Sequence, residues 1–281
     1  MRYKINYDRI EIISDVFKIL GINKIKMIEV CDIQFHVAKQ LSMLCPQISK
    51  YLLYLNSLVS YRLMYHGEKF WVIFTQYVSE KCIHISDFKD AVDLVIDFSV
   101  KYNRILINQK VDRLRKIKRC NEIVRYIDNH EFELLAKYTA KCLNNNPNSK
   151  TVVFSIKMLY YELKSKGFDI VLPNTIAIPV DRRVALITYL SGLLDILDEN
   201  DINASKLLKI SNTIRKIWQR ISLLSSIPSL HIDSVIWYLG KYSNLNSRSS
   251  ILNSIDRCLI SIIGENDVKY LVDELFYRLP P

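Results

Sequence analysis

Apolar residues recur every three to four positions along most of this chain, a spacing that is typical of amphipathic α-helices. The segment 7–20 is a clear example, and Gly21 ends it. The same spacing predicts further helices over roughly 31–44, 46–64, 71–77, 87–101, 131–143, 150–165, 182–197, 203–225 and 247–278. The pattern therefore predicts an all-α protein.

The amino-acid composition agrees with a helical protein that has few glycine- or proline-dependent loops. The 281 residues include only 6 glycines and 7 prolines, which leaves little room for glycine-rich phosphate loops or many tight hairpins. A chain of this length buries a sizeable core, either as one large domain or as two lobes. The composition disfavours a dinucleotide-binding enzyme, and the chain has no GxGxxG motif.

The chain is basic, with a formal net charge of +10, which suggests a polyanionic partner such as nucleic acid. A dense run of positive charge lies within ten residues and is opposed only by Asp112. Its members are Lys110, Arg113, Arg115, Lys116, Lys118 and Arg119. Such a helix face suits phosphate contacts, and we assign Arg113, Lys116 and Arg119 to the DNA backbone. A solvated basic face is the equally open alternative.

Cysteine and histidine spacing argues against a metal or redox cofactor. The six cysteines are scattered without a CxxC pair, and the five histidines show no metal-ligand spacing. We therefore expect no metal, no cofactor and reduced thiols in the core. The first residues lack an apolar signal core and no apolar run approaches ~18 residues, so we expect a cytoplasmic protein without a membrane partner.

Lys150 stands where a helix is predicted to begin. The turn and cap residues 146–149 precede it, and apolar periodicity starts directly after it. The positive end of a helix dipole disfavours an ammonium group, so stability alone would place an acid there. An uncharged amine is the form that acts as a nucleophile. Phe154 and Lys157 share its helix face. Taken alone, a lysine in the first turn of a helix is usually a solvated surface residue.

Two carboxylates also lie near predicted helix starts. Asp181 follows Pro179 and is a candidate N-cap for the next helix. Asp233 is four residues before Trp237, so both share one helix face. A carboxylate can accept the N1–H and N2–H of guanine beside a stacking ring. The alternatives are that Asp181 is only a helix cap and that Trp237 is only a buried core residue. Trp71, at the start of the helix predicted over 71–77, is likewise open to a simple core role.

Three segments carry a resemblance to a known family. They are 150–157 (KTVVFSIK), 178–185 (IPVDRRVA) and 227–237 (IPSLHIDSVIW). The chain resembles the archaeal 8-oxoguanine DNA glycosylase/lyase family, a divergent branch of the helix–hairpin–helix base-excision superfamily. Gly67, Glu68 and Trp71, together with Asp32 and Gln34, fit its N-terminal half. The similarity covers roughly residues 10–245, and the last ~35 residues match only loosely.

The resemblance implies a role for each matching residue. Lys150 would be the nucleophile that expels the damaged base and forms a Schiff base, and Asp181 would assist deprotonation and stabilise the positive charge on the sugar. β-Elimination would then nick the strand. The residues implied to line the pocket for the flipped base are Gln34, Trp71, Phe154, Lys157, Pro179, Asp233 and Trp237.

The resemblance also implies two helical lobes with a central DNA-binding cleft. We assign residues 1–45 and 181–281 to a terminal lobe, and 46–180 to a middle lobe that contains the helix–hairpin–helix and Lys150. The expected partner is double-stranded DNA that contains 8-oxoguanine, and single-stranded DNA stays open as a further substrate. The expected oligomeric state is a monomer. The segment 144–148 before Lys150 lacks the usual glycines, which puts the DNA-anchoring hairpin in doubt.

Two other functions stay open at this point. One is a glycosylase of the same superfamily that removes another oxidised base, which the carboxylate at Asp233 argues against. The other is a non-catalytic helical protein that binds nucleic acid through the basic segment 110–119. That protein would not need a nucleophilic lysine.

Overall fold

A computed structural model of the chain describes residues 2–198 and 202–281 and confirms the predicted all-α class. The helices, in chain order, are α1 (Tyr7–Ile28), α2 (Ile33–Leu44), α3 (Ser49–Leu58), α4 (Gly67–Ser79), α5 (Phe88–Tyr102), α6 (Ile107–Lys118), α7 (Glu122–Asp128), α8 (Phe132–Cys142), α9 (Lys150–Ser165), α10 (Arg182–Leu190), α11 (Ala204–Leu207), α12 (Ser211–Ser225), α13 (Ser229–Leu239), α14 (Arg248–Ser254), α15 (Arg257–Ile263) and α16 (Glu265–Leu275).

A short sheet, which the apolar pattern did not predict, supplements the helices. Its strands are β1 (Tyr3–Ile5) and β2 (Leu194–Ile196), which pair antiparallel with Tyr3 opposite Ile196. Among the described residues, 3-10 turns lie at Glu29–Cys31, Cys82–His84, Leu208–Ile210 and Gly240–Tyr242.

Several predicted helix ends differ from the observed ones. The helix expected over 46–64 is α3, which covers only Ser49–Leu58, and the helix expected to reach residue 197 is α10, which stops at Leu190. After α10 the chain turns at Gly192, whose φ of 75° is in the left-handed region that glycine adopts readily, and continues as β2. Gly21 interrupts α1 with φ 70° and ψ 160°, as its position in the pattern indicated.

The chain divides into two compact units. The terminal unit comprises residues 1–32 and 174–281, and the middle unit comprises residues 33–173. The boundaries proposed from the sequence, after residues 45 and 180, differ from these. Helix α2 belongs to the middle unit because it packs against α4 and α9. The segment 174–180 belongs to the terminal unit because Ile178 and Val180 lie in its core.

The terminal unit is built around α1. Its apolar face packs against α12, α13, α15 and α16. Phe17 meets Trp218 edge to face at 6.3 Å between ring centroids, and the Trp218 indole N–H donates to Thr188 Oγ1 at 2.8 Å. These contacts join α1 and α12 to α10, the helix that begins after Asp181.

The middle unit is built around α9. This helix packs against α3, α2 and α8, so nearly all of its side chains between residues 151 and 163 are buried. A helix that is apolar on most sides is typical of a central position in a bundle. The Tyr54 and Thr139 hydroxyls are 2.6 Å apart, and Ser49 donates to Glu162 at 2.7 Å.

The expectation of reduced thiols is wrong. All six cysteines form disulfides, with Cys31–Cys258 in the terminal unit and Cys45–Cys82 and Cys120–Cys142 in the middle unit. The partners lie 227, 37 and 22 residues apart in the chain, yet their Cα atoms are 6.0, 5.8 and 6.5 Å apart. These distances fall within the range that a disulfide spans. Spacing along a sequence carries no information about such long-range proximity.

In the part of the chain that the structure describes, no helix combines the length and the apolar character needed to cross a lipid bilayer.

Candidate active site

Helices α8 and α9 and the seven-residue turn between them form the hairpin that the sequence indicated, and they place Lys150. The turn closes without glycine because asparagines take its role. Asn144 adopts a left-handed φ of 49°, and the backbone N–H of Asn145 donates to Ala140 O at 2.8 Å. Asn145 Oδ1 accepts a hydrogen bond from the backbone N–H of Asn146, and Asn146 Oδ1 accepts one from the backbone N–H of Asn148, both at 2.8 Å. The Cys120–Cys142 disulfide ties down the end of α8.

Lys150 is the first residue of α9, as predicted, and its side chain is exposed. Ser149 occupies the N-cap position with extended backbone but forms no side-chain cap hydrogen bond, and the first turn of this helix holds no acidic residue. Both features are the opposite of what stabilises a helix start. The amine therefore lies at an open helix end.

The predicted pocket residues of the middle unit lie on α9 and on two other helices, α2 and α4. The Trp71 ring in α4 is buried and meets the half-buried Phe154 ring edge to face, with centroids 6.0 Å apart. Lys157, one turn beyond Phe154, is buried with its Nζ 5.5 Å from the Tyr161 ring centroid. Gln34 is buried in α2, which packs against both α4 and α9. The structure thus brings the two aromatic rings together.

In the terminal unit, Asp181 is the N-cap of α10, as the sequence predicted. Its Oδ1 accepts hydrogen bonds from the Arg183 amide at 2.9 Å and from the Val184 amide at 3.0 Å. The side chain is half-buried, and Pro179, two residues earlier, is buried. Two backbone donors thus hold the carboxylate in one orientation at the start of the helix.

Asp233 and Trp237 lie one turn apart on α13, Asp233 buried and Trp237 half-buried. Arg183, which the sequence analysis did not single out, connects this helix to the start of α10. Its guanidinium lies 4.1 Å from the Trp237 ring centroid and donates to Trp237 O at 3.3 Å. Gly240 permits this close approach, because a Cβ there would lie 2.7 Å from Arg183 Cβ.

A buried hydrogen bond between two side chains supports the same helix and was also missed from the sequence. Glu29 Oε1 lies 2.7 Å from His231 Nδ1, and both side chains are fully buried. The pair joins the 3-10 turn Glu29–Cys31 to α13, two residues before Asp233. The two residues are 202 positions apart, so no local pattern could have found the pair.

The basic run does not form one helix face. Lys116 and Arg119 are exposed, but Arg113 is half-buried and its Nη2 donates to Thr151 Oγ1 at 2.6 Å. Lys118 pairs with Asp93 at 2.5 Å. Lys110 is fully buried, donates to Asn103 O at 3.2 Å and to Asn103 Oδ1, and burial lowers its pKa to about 8. Only part of the run is therefore available to a polyanion.

Within the described ranges, no group of three or more histidine, cysteine, aspartate or glutamate side chains is arranged to hold a metal ion. Each unit instead offers organic groups. The middle unit presents an exposed amine one helical turn before Phe154, whose ring contacts Trp71, and the terminal unit presents an oriented carboxylate, a buried carboxylate and an indole. These are the groups that an amine-nucleophile reaction on a base-bearing sugar requires.

Comparisons with known proteins agree with this chemistry. Residues 14–272 match the model of the family described as AGOG, N-glycosylase/DNA lyase. The N-glycosylase/DNA lyase of Pyrobaculum aerophilum is 31% identical over 232 residues, which is 82% of this chain and 85% of that protein. The N-glycosylase/DNA lyase of Methanococcus maripaludis is 31% identical over 270 residues, 92% of this chain and 98% of that protein.

Among solved structures, the chain is similar to the crystal structure of Pa-AGOG, the 8-oxoguanine DNA glycosylase from Pyrobaculum aerophilum, complexed with 8-oxoguanosine. The TM-score is 0.72 and the sequence identity 25%, with 92% of this chain and 96% of that chain covered. A family match over most of the length, close agreement in fold, and relatives above 30% identity point the same way. This chain belongs to the AGOG family of N-glycosylase/DNA lyases.

Proposed function

We propose that this protein removes 8-oxoguanine from DNA and then cleaves the strand at the resulting abasic site by β-elimination. The observation that carries the proposal is the exposed Lys150 at the open start of α9, in a chain that belongs to a family of N-glycosylase/DNA lyases. An amine nucleophile joins the two activities, because the covalent intermediate of base removal is also the substrate of the lyase step. The relative solved with 8-oxoguanosine supports the choice of base.

In the proposed mechanism, the neutral Lys150 amine attacks C1′ of the damaged nucleotide. The C1′–N9 bond breaks, its electron pair leaves with the base, and the base takes up a proton. The amine loses two protons: one is transferred through Asp181 to the departing base, and the other protonates O4′ as the C1′–O4′ bond breaks and the sugar opens to a Schiff base at C1′. Loss of a C2′ proton then expels the 3′ phosphate, and water hydrolyses the imine to free the lysine. Asp181 accepts the amine proton and stabilises positive charge that develops on the sugar.

The pocket residues take the roles that their chemistry suits. Phe154 stacks on the flipped base, and the buried Trp71 supports that ring through its edge-to-face contact. Asp233 accepts the N1–H and N2–H of the guanine edge, and Trp237 lies beside it on α13. Gln34 and Lys157 contribute further polar contacts, and Pro179 offers its backbone carbonyl.

The DNA backbone is bound by two surfaces of the middle unit. One is the turn of the α8–α9 hairpin, whose residues 144–147 are exposed and which offers main-chain N–H groups to phosphates. The other consists of Lys116 and Arg119, which are exposed at the end of α6. We propose a monomer that acts on duplex DNA. Because its proposed substrate is cellular DNA, we propose that the protein is cytoplasmic.

Borohydride trapping tests the proposal directly. The protein is mixed with a labelled duplex that carries one 8-oxoguanine, and borohydride reduces any Schiff base to a stable covalent adduct. We expect an adduct with the native protein and none with the Lys150→Gln protein, which should still bind the duplex. An undamaged duplex and the Lys164→Gln protein, altered at a lysine in the last turn of α9, are the controls.

Each outcome separates the alternatives. An adduct that persists in Lys150→Gln contradicts the assignment of the nucleophile. An adduct that forms better on an oxidised pyrimidine than on 8-oxoguanine points to a glycosylase for another base. Tight binding to both duplexes without an adduct shows a non-catalytic binder of nucleic acid.

A further inference from the structure

Arg113 takes part in a partly buried contact that differs from the phosphate contact expected from the sequence. Its Nη2 donates at 2.6 Å to Oγ1 of Thr151, the residue that directly follows Lys150 in the first turn of α9. The Arg113 Nε is buried and has no hydrogen-bond partner in the ranges that the structure describes. The guanidinium is thus aimed at the start of α9.

The Arg113 guanidinium lies against Tyr61, a ring that also faces Lys110. Its Cζ lies 6.0 Å from the Tyr61 ring centroid, and Lys110 Nζ lies 5.1 Å from the same centroid. Lys110 donates to Asn103, whose Nδ2 in turn donates to Val59 O at 3.0 Å. Burial lowers the pKa of the Arg113 guanidinium from its ordinary value, although the Tyr61 hydroxyl opposes the shift. The structure therefore retains this cation at a desolvation cost, which suggests a function for it.

The first turn of α9 lacks the usual means of holding its shape. Ser149 does not cap it with its side chain, its Oγ is buried without a hydrogen-bond partner in the described chain, and no acid balances the dipole. A helix end of this kind frays readily, because its first N–H groups have no partner within the helix. The bond from Arg113 to Thr151 is a side-chain contact that fixes this turn from outside the helix.

We propose that Arg113 is a positioning residue for the reaction, which holds the first turn of α9 through Thr151 and so fixes the backbone that carries Lys150. The inference rests on the proposed role of Lys150 as the nucleophile. It assigns the arginine to chemistry and not to DNA affinity. A backbone displacement of about 1 Å at a reacting group is enough to cost about 100-fold in rate, so this hydrogen bond should show in turnover.

The test compares four single variants in single-turnover cleavage of the 8-oxoguanine duplex at saturating protein, and in duplex affinity. Thr151→Val keeps the shape but removes the acceptor, and we expect the cleavage rate to fall at least tenfold with less than a twofold change in Kd. Arg113→Gln should behave alike. Thr151→Ser keeps the hydroxyl and should restore most of the rate. Arg125→Gln, which changes an exposed arginine of α7, is the matched control.

Two further measurements show whether the effect is local. The Arg113→Gln, Thr151→Val double variant should lose no more rate than either single variant, because the two residues act through one bond. The amide of Val153, which donates to Ser149 O at 3.0 Å, should exchange its hydrogen faster in both single variants. If one variant fails to fold, Arg113→Lys provides the same comparison, since the shorter side chain cannot reproduce the guanidinium geometry.

Other results would overturn the proposal. If Arg113→Gln weakens Kd and lowers its salt dependence while Thr151→Val leaves the rate intact, Arg113 is a phosphate contact as the sequence suggested. If both variants cleave at the native rate, the hydrogen bond has no role in the reaction. Borohydride trapping with the native protein separates a failure of this proposal from a failure of the proposed function. If the native protein forms no adduct, the nucleophilic role of Lys150 itself is wrong.

Discussion

At the scale of single residues, Asp181 combines two roles that a substitution can separate. Its Oδ1 caps α10 through the amides of Arg183 and Val184, and its charge is proposed to stabilise the sugar cation. Asparagine caps a helix about as well as aspartate, whereas alanine does not cap at all. The structural role therefore depends on the oxygen atom and the chemical role on the charge.

We predict that Asp181→Asn keeps the free energy of unfolding within about 0.5 kcal/mol, whereas Asp181→Ala lowers it by about 1 kcal/mol. Both should reduce single-turnover base release by about 100-fold or more, because neither carries a carboxylate. Chemical denaturation and cleavage assays measure the two effects. Asp87, whose Oδ1 caps α5 through the Asp90 amide at 2.9 Å, is the matched control. Its variants should repeat the stability pattern and leave cleavage unchanged; an active Asp181→Asn protein would refute the chemical role.

At the scale of elements, α6 shows how one helix divides a basic run between two environments. Lys110 lies one helical turn before the buried Leu114 and two before the buried Ile117, so it shares their inward face. Lys116 and Arg119 are on the exposed side. The spacing of Lys110, Leu114 and Ile117 was visible in the sequence and was the signal that this lysine is inside.

The buried Lys110 predicts a specific pH dependence. Its pKa is about 8 in the folded protein and near the ordinary 10.5 when unfolded, so between these values the unfolded chain binds more protons. The free energy of unfolding should therefore rise with pH from about 8 to about 10.5, by at most about 3 kcal/mol from this group. Below pH 8 both states are protonated and the contribution is constant.

Urea denaturation of the native protein and of Lys110→Met across pH 7 to 10.5 measures this contribution. The difference between the two curves removes every other titrating group, and it should grow in favour of the native protein above about pH 8. Lys116→Met, which changes an exposed lysine of the same helix, should run parallel to the native curve. A Lys110→Met curve that is also parallel would show that the buried lysine has an ordinary pKa.

At the scale of the whole molecule, each unit has its own covalent cross-links. Cys31–Cys258 joins the two segments of the terminal unit and spans 227 residues of chain, which include the whole middle unit, residues 33–173. Cys45–Cys82 and Cys120–Cys142 close shorter loops within the middle unit. A cross-link stabilises chiefly by restricting the unfolded chain, more for longer loops. The cross-link between distant termini is therefore expected to contribute most.

We predict that the denatured, unreduced protein takes up no thiol-alkylating reagent and that the reduced protein takes up six, as mass spectrometry would show. Replacing Cys31 and Cys258 together by serine should lower the free energy of unfolding by about 3 to 5 kcal/mol. The Cys120→Ser, Cys142→Ser pair should cost less, because its loop is shorter. Six alkylated cysteines without reductant would contradict the disulfide assignment.

The sequence alone predicted the features of this protein that depend on nearby residues. Periodicity predicted the all-α class, and cap residues located the starts of α9 and α10, because helix formation and capping depend on residues within a few positions of each other. The segments around Lys150, Asp181 and Asp233 also sufficed to suggest the family, which the comparisons confirm.

Only the tertiary structure decided which distant residues meet. It paired the six cysteines, joined Glu29 to His231, turned Arg113 towards Thr151, and assigned α2 to the middle unit. It also ended α10 at Leu190. The chain then turns at Gly192 and continues as β2, which pairs with β1, a strand almost 190 residues earlier in the sequence. These outcomes depend on packing between segments that are far apart in the chain, and no local pattern encodes that packing.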